Sequence, residues 1–162
     1  MLRYSVQAAS CGRMGSIATV RGAHKINMDL KKPLGGSEYG PEPMEALLAA
    51  LLGCKIATAH FVARHVWPTK KHGIANITGQ LNAERDKFAS VHLPITDSPP
   101  IYPGVSKIWG SLFLTPRSPH SISEADIIQL GELVAERCPI AVSLDAGGCE
   151  INIEWRLAKD ES

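Results

Sequence analysis

Two cysteines of this chain lie in sequence settings that suit thiol chemistry. Cys54 is inside a long apolar run, and Cys138 ends an amphipathic stretch directly before Pro139. The first pattern predicts a thiol in the middle of a helix, and the second a thiol at a helix end. If folding brings them together, the pair can pass through thiolate attack, a sulfenic acid and a disulfide. These residues therefore favour thiol-dependent redox chemistry.

Each cysteine also has a plain structural interpretation. A cysteine in a buried apolar helix is commonly a small packing residue, and a cysteine before proline can simply close a helix. Cys11 and Cys149 have no neighbours that suggest reactivity, and we expect them to be bystanders. Four cysteines without a CxxC pair in 162 residues are too few for a disulfide framework and lack the usual zinc spacing. We expect free thiols in a reducing compartment.

The histidines do not predict a metal site. Four lie in the first half of the chain, and their spacing matches no common ligand pattern. They are His24, His60, His65 and His72. His65 follows Cys54 by eleven residues, which is about three helical turns and about 16 Å along the axis, too far for a general base. We therefore expect neither a metal nor a cofactor.

Composition narrows the range of partners. The chain has 162 residues, a net charge of +1 and 20% charged residues, so no basic surface for nucleic acid is indicated. The longest uninterrupted apolar run, Ala46 to Cys54, has nine residues, which is shorter than a membrane helix requires. We expect a single domain over residues 1–162, soluble, with neither a nucleic-acid nor a membrane partner.

The N-terminal region bears on localisation. It carries four basic residues and no acid before Asp29, as mitochondrial presequences do. The same region also has the side-chain pattern of strands at Leu2 to Ala9 and Ile17 to Asn27. We give the strand pattern more weight and expect a cytoplasmic protein, with a mitochondrial location as the alternative.

The first half of the chain predicts three strands followed by a helix. Strand-type residues fill Leu2 to Ser10, Ser16 to Val20 and Ala23 to Leu30, and glycine-rich turns separate the first two. Pro33 to Pro43 is then a loop. From Met44 to Ala63 the chain is apolar almost all round, which predicts a helix buried on most faces.

The second half predicts two strands, a helix and a last strand. The strands are His72 to Arg85 and Val105 to Leu114, separated by a proline-rich irregular segment. A helix capped by Ser121 or Ser123 runs to Cys138, and Glu150 to Leu157 alternates as a half-exposed strand. The early strands are too close together for helical crossovers, so the order favours an α+β fold with an antiparallel sheet.

The stretch GGSEYGPEPMEALLAALLGC, followed by a later helix ending in ERCP, resembles the signature of the OsmC and organic hydroperoxide resistance family. The resemblance covers nearly the whole chain. It implies an intertwined homodimer in which sheets of both chains wrap long central helices. Characterised members are thiol peroxidases that reduce organic hydroperoxides, and by position Cys54 matches the peroxidatic cysteine and Cys138 the resolving one.

The resemblance also implies a cation and an acid beside the thiol. A cysteine with an ordinary pKa near ~8.5 needs a neighbouring positive charge to be mostly ionised at neutral pH. Arg21 and Arg13 compete for this role, and we rank Arg21 ahead because it is nearer the central helix. Glu45 matches the acid by type, although it stands one residue closer to the cysteine than in the hydroperoxide resistance branch. Lys55 points about 100° away from Cys54 around a helix, which favours a contact with the other chain.

Two functions remain open at this stage. The first is a cysteine-based peroxidase for organic hydroperoxides, which the resemblance implies is reduced by a dithiol such as a lipoylated protein. The second is a noncatalytic member of the same fold, a small-molecule-binding dimer whose cysteines are not redox partners. The proline-rich segment from His92 to Gly104 is where substrate entry would differ between relatives.

Overall fold

The computed structural model describes residues 1–67, 73–118 and 121–158. The chain divides into two compact units, Met1–Ala49 and Ala50–Ser162, with the boundary inside a long helix. His72, at which the predicted fourth strand begins, lies outside the described residues. Each unit is built around its own three-stranded sheet.

The first unit carries an antiparallel meander of β1 (Gln7–Cys11), β2 (Gly15–Val20) and β3 (His24–Met28). The second and third strands confirm the prediction. The first was wrong at its start, because Gln7 already pairs with Thr19 near the end of β2. Residues 2–6 therefore extend beyond the partner strand and form no ladder.

The carboxylate of Asp29 organises the loop that follows β3. It accepts hydrogen bonds from the backbone N–H groups of Leu30 (2.8 Å), Ser37 (2.9 Å) and Tyr39 (3.4 Å). The residue is nearly inaccessible to solvent. The N–H donor of Ser37, with those of Leu30 and Tyr39, holds the pKa of this carboxyl below its ordinary value of 3.8, against the opposing effect of burial.

This arrangement predicts acid sensitivity in the first unit. Because the pKa is lowered in the fold, the ionised Asp29 stabilises the structure above pH 3.8 and ceases to do so as the pH falls through the folded pKa. Asp29→Asn should lower the urea midpoint at neutral pH and flatten its decline in acid. Urea titrations at several pH values measure both effects. The exposed Asp97 offers a control, and an Asp29→Asn curve that overlays Asp97→Asn would contradict the prediction.

Helix α1 (Pro43–Val66) confirms the predicted central helix. Its buried residues lie on one face and are Leu51, Lys55, Ala59, Val62 and Ala63. The opposite face is exposed in the chain, with Phe61 53% accessible. The expectation of burial on most faces is therefore not met within one chain. By length and composition alone α1 is also long and apolar enough to cross a membrane, a test that core helices of water-soluble proteins pass as well.

The second unit contains β4 (Ile74–Arg85), β5 (Val105–Pro116) and β6 (Glu150–Leu157), in that order across the sheet. Strands β4 and β5 are antiparallel, as expected. The expectation of a wholly antiparallel sheet was wrong for β5 and β6, which pair in parallel. Their connection contains helices, and a helical crossover is what lets a strand return in the same direction. The α+β fold class itself is confirmed.

Two helices follow β5. The first, α2 (Glu124–Arg137), begins with a capping box: Ser123 accepts from the backbone N–H of Asp126, whose carboxylate accepts from the backbone N–H of Ser123 at 2.8 Å. Ser121 is not the cap, because its hydroxyl donates to the carbonyl of Ser118 at 2.7 Å. The sequence did not distinguish Ser121 from Ser123 as the N-cap of this helix. Asp126, three residues after Ser123, completes the capping box and identifies Ser123 as the cap.

The second, α3 (Pro139–Ala146), was not predicted. Pro139 was interpreted only as the end of α2. A proline also suits the first position of a new helix, where its missing N–H is not needed. Cys138 therefore lies at the junction of the two helices, as the C-cap of α2 and the N-cap of α3.

The core of the second unit is formed by α1, α2 and one face of the sheet. It is wholly aliphatic apart from one tryptophan. The buried members of this core are Ala59, Val62, Ala63, Trp67, Ile74, Ile77, Leu112, Leu114, Ile122, Ile127, Leu130 and Val134. This core fixes α1 against α2 and so determines which residues of the two helices meet.

Between β4 and β5, residues 86–104 form the predicted irregular segment, with one short 3₁₀ helix at Ala89–Val91. Several apolar side chains here are exposed, including Phe88, Leu93 and Ile95. The segment is anchored at its end, where the Tyr102 hydroxyl donates to the carbonyl of Gly147 at 3.4 Å.

Candidate active site

The fold brings Cys54 and Cys138 together. Cys54 lies in the middle of α1 and is partly exposed, whereas Cys138 is 0% accessible at the junction of α2 and α3. Their thiols interact with each other electrostatically, and both cysteines are free. Two residues that are far apart in the sequence therefore form one thiol pair.

The backbone around Cys138 is held from both sides. Its N–H donates to the carbonyl of Val134 at 3.0 Å, which closes α2. Its carbonyl accepts from the N–H of Val142 at 3.0 Å, which opens α3. The side chain is thus presented to α1 from a rigid corner rather than from a loop.

The two thiols have different electrostatic surroundings. Burial raises the pKa of the Cys138 thiol, and the adjacent Cys54 thiol raises it further. The backbone N–H of Ala141 and the ammonium group of Lys55 oppose this by favouring the thiolate. Burial is the largest of these effects, so the fold favours the protonated form of the Cys138 thiol.

Lys55 was expected to face the other chain, and this was wrong. The residue is only 2% exposed, and its ammonium group interacts electrostatically with both Cys138 and Cys54. The reason is its spacing: Lys55 falls one helical turn from Leu51 and from Ala59, on the buried face of α1. Burial lowers the pKa of Lys55 below its ordinary value of 10.5, and the two thiols act in the opposite direction.

Lys55 also lines a cavity of about 330 Å³ in the second unit. The other walls come from α2, α3 and β6. Most lining side chains are apolar or small, and Glu136 and Asp145 supply the negative charge. Gly131 of α2 packs closely against the indole ring of Trp155 in this wall. A Cβ atom at position 131 would lie only 2.6 Å from that ring. The cavity is thus a largely apolar space beside a buried cation.

Glu45 and the two arginines belong to the first unit. Glu45 accepts a hydrogen bond from the backbone N–H of Glu42 at 2.8 Å and forms an ion pair with Lys31 at 3.9 Å. Arg21 occupies the turn between β2 and β3 with a φ of 51°, and Arg13 lies in the turn between β1 and β2. Both arginines are exposed. Their roles, like that of Glu45, stay predictions.

The remaining candidates do not form a site. Within residues 1–67, 73–118 and 121–158, no cluster of histidine, cysteine, aspartate and glutamate has the arrangement of a metal site. Nδ1 of His65 lies 2.8 Å from the carbonyl oxygen of Phe61 within the same helix. Cys149 is buried, and its thiol is oriented to the carbonyl of Glu150 at 3.7 Å.

The sequence of residues 35–154 matches the family model described as OsmC-like protein. That range contains both Cys54 and Cys138. The chain belongs to the OsmC-like protein family. No curated protein sequence matches this OsmC-like protein.

Solved structures agree on the fold. An OsmC-like protein from Mycoplasma pneumoniae has a TM-score of 0.74 and 22% identity, covering 98% of this chain and 99% of that chain. An organic hydroperoxide resistance protein, OsmC, from Legionella pneumophila has a TM-score of 0.61 and 14% identity, covering 98% of this chain and 100% of that chain. An organic hydroperoxide resistance protein from Elizabethkingia anophelis, with thiocyanate bound, has a TM-score of 0.62 and 14% identity, covering 97% of this chain and 99% of that chain. At these identities the likeness establishes the OsmC-like fold alone.

Proposed function

We propose that this OsmC-like protein is a thiol peroxidase that reduces organic hydroperoxides, with Cys54 as the attacking thiolate and Cys138 as the resolving thiol. The observation that carries the proposal is that the fold brings two free thiols within interaction range of each other, one partly exposed and the other fully buried. Membership of a family with relatives named as organic hydroperoxide resistance proteins supports the choice of substrate class.

Exposure decides which thiol attacks. A hydroperoxide arriving from solvent meets Cys54 first, because Cys138 has no accessible surface. The Cys54 thiolate attacks the distal oxygen of ROOH, the O–O bond breaks, and a proton converts the leaving alkoxide to ROH. Cys138 then attacks the sulfenic acid, forming the disulfide and releasing water. Glu45 and Arg21 are proposed to orient the reactants, as the family resemblance implies.

The disulfide must then be reduced by an external dithiol. We propose a dithiol carrier such as a lipoylated protein, which would exchange through a mixed disulfide at the exposed sulfur of Cys54. The four free cysteines suit a reducing compartment, and a cytoplasmic location is proposed on that ground.

The test is a stoichiometric reaction with cumene hydroperoxide. One equivalent should remove two thiols per chain and leave a species two hydrogens lighter than the reduced protein. Peptide mapping should locate the linkage between Cys54 and Cys138, while Cys11 and Cys149 remain available for alkylation. If Cys54 is still free after the peroxide has been consumed, the assignment is wrong.

We further propose that the active form is a homodimer. The exposed face of α1 carries Ala50, Gly53, Ala57 and Phe61, which recur every three or four residues. Three of these residues are small, which suits close packing against a second helix, and Phe61 adds an exposed apolar side chain that such packing would cover. The family resemblance implies that this second helix is α1 of another copy.

The cavity beside Lys55 supports a second candidate function. Its volume of about 330 Å³ is large enough for a small organic ligand, and its walls are mainly apolar. A noncatalytic binding dimer would use this space without cycling its cysteines. The cumene hydroperoxide reaction separates the two functions, because a binding protein would keep all four thiols.

A further inference from the structure

The environment of Lys55 is unusual for a lysine. Its side chain is 2% exposed, and lysines are almost never fully buried without a partner of opposite charge. Among the described residues, no carboxylate forms an ion pair with it. The thiols of Cys138 and Cys54 favour its ammonium form, against the larger effect of burial.

Among the described residues, four titratable groups interact with Lys55 or line its cavity. Cys54 comes from α1 itself, and Cys138 from the junction of α2 and α3. Glu136 on α2 and Asp145 on α3 line the same cavity, and both are exposed to solvent. The thiols are therefore the titratable groups inside the fold that interact electrostatically with Lys55.

We propose that Lys55 is the proton carrier of the thiol pair: its ammonium form holds Cys54 as a thiolate, and its amine form accepts the proton of Cys138 when the disulfide forms. The inference rests on the proposed peroxidase function. It assigns to a residue of the same helix the role for which an arginine was expected. The lowered pKa of Lys55 is consistent with this role, because an amine in water would keep its proton at neutral pH.

The proton balance is complete. In the resting site Cys54 is a thiolate and Lys55 an ammonium. Attack on ROOH makes the Cys54 sulfenic acid, and the Lys55 proton passes to the alkoxide to give ROH. The neutral amine then takes the proton of Cys138 as its sulfur attacks Cys54, and returns it to the departing hydroxide as water. Reduction by a dithiol restores two thiols, and the Cys54 proton moves back to Lys55.

The two proton transfers differ in their access to water. Cys54 is partly exposed, so water can replace Lys55 in protonating the alkoxide. Cys138 is 0% exposed, so Lys55 is the acceptor available to it inside the fold. Loss of the amine should therefore slow disulfide formation more than the attack on the peroxide.

Two substitutions separate charge from proton transfer. Lys55→Met removes both, whereas Lys55→Arg keeps the charge in a group that does not deprotonate in proteins. Lys107→Met, on the half-exposed β5, is the matched control. Urea denaturation verifies that each variant is folded before its thiol chemistry is compared with that of wild type.

The readouts are the pH profile of Cys54 alkylation and the rate of disulfide formation with diamide, an oxidant of thiol pairs that needs no peroxidase activity. Lys55→Met should cut Cys54 alkylation about tenfold at neutral pH, because the nearby positive charge is lost, and slow disulfide formation as well. Lys55→Arg should alkylate normally but form the disulfide about tenfold more slowly, and after peroxide its sulfenic acid should accumulate for capture by dimedone.

A wild-type alkylation profile in Lys55→Met, or a wild-type rate of disulfide formation in Lys55→Arg, would overturn the proposal. Because diamide replaces the hydroperoxide, these outcomes are independent of whether the protein is a peroxidase. If wild type forms the disulfide with diamide but consumes no hydroperoxide, the proposed function fails and the role of Lys55 in the thiol pair is still decided by the same two variants.

Discussion

Cys54→Ser should abolish hydroperoxide reduction, with turnover falling by at least about a thousandfold, as expected when a nucleophile is removed. The serine hydroxyl is not ionised at neutral pH and has no sulfenic acid to offer Cys138. A coupled assay with a dithiol reductant measures the loss. Cys149→Ser removes a buried thiol outside the pair and is the control, with turnover close to wild type. If Cys54→Ser consumed hydroperoxide as fast as wild type, the binding-protein alternative would become the better account.

The companion variant Cys138→Ser isolates the second half of the cycle. It should still react with one equivalent of hydroperoxide, because Cys54 remains. Without the resolving thiol the reaction should stop at the sulfenic acid and proceed to sulfinic acid under excess peroxide. Intact mass spectrometry distinguishes the gain of one oxygen, the gain of two oxygens and the loss of two hydrogens. A disulfide in this variant would show that another cysteine resolves.

Gly53→Leu should convert the proposed dimer to monomer. A Cβ at Gly53 meets nothing within 4 Å in the chain, so the substitution is tolerated by the isolated fold and even favours the helix. In a helix crossing, the added side chain would appear twice, and overpacking costs about 1–3 kcal/mol each time. We expect a loss in dimer affinity of at least about thirtyfold, which corresponds to about 2 kcal/mol.

Light scattering at low micromolar concentration should give about twice the chain mass for wild type and the single-chain mass for Gly53→Leu. Gln129→Leu, on the exposed face of α2, places the same side chain on a helix away from the proposed crossing and should stay dimeric. A monomeric wild type, or an unchanged mass in Gly53→Leu, would contradict the use of this face as the dimer contact.

The sequence predicted those elements whose signals are local. Glu150 to Leu157 alternates strictly, and β6 has the predicted bounds. The start of α1 after a proline-rich loop was clear for the same reason, as was the irregular segment between β4 and β5. The predictions that were wrong concern pairing with a neighbouring strand. Residues 2–6 have strand composition but lie beyond the end of β2, and composition cannot show where a neighbouring strand ends.

The thiol pair and its cation illustrate the same limit. The resemblance placed Cys54 and Cys138 in one site, but Lys55 was assigned to the wrong environment because only its angle from Cys54 was considered. A signal was present, since Leu51 and Ala59 lie one turn to either side and are buried. Burying a lysine on this face of the helix costs free energy, so a lysine at this position indicates a functional role or a compensating partner. Likewise, Pro139 carried the signal for α3, which was not recognised because proline was treated only as a stop.

The double cap at Cys138 has a mechanical consequence. Its backbone is fixed by hydrogen bonds to Val134 on one side and from Val142 on the other, so this sulfur is the stationary partner. Two free thiols must approach to bonding distance to become a disulfide. The required displacement therefore falls on Cys54 and on the segment of α1 that carries it. Gly53 is next to Cys54, about 100° away around the helix, and lies on the exposed face of that segment, so oxidation at the thiol pair would be transmitted as movement to the surface proposed to hold the second copy.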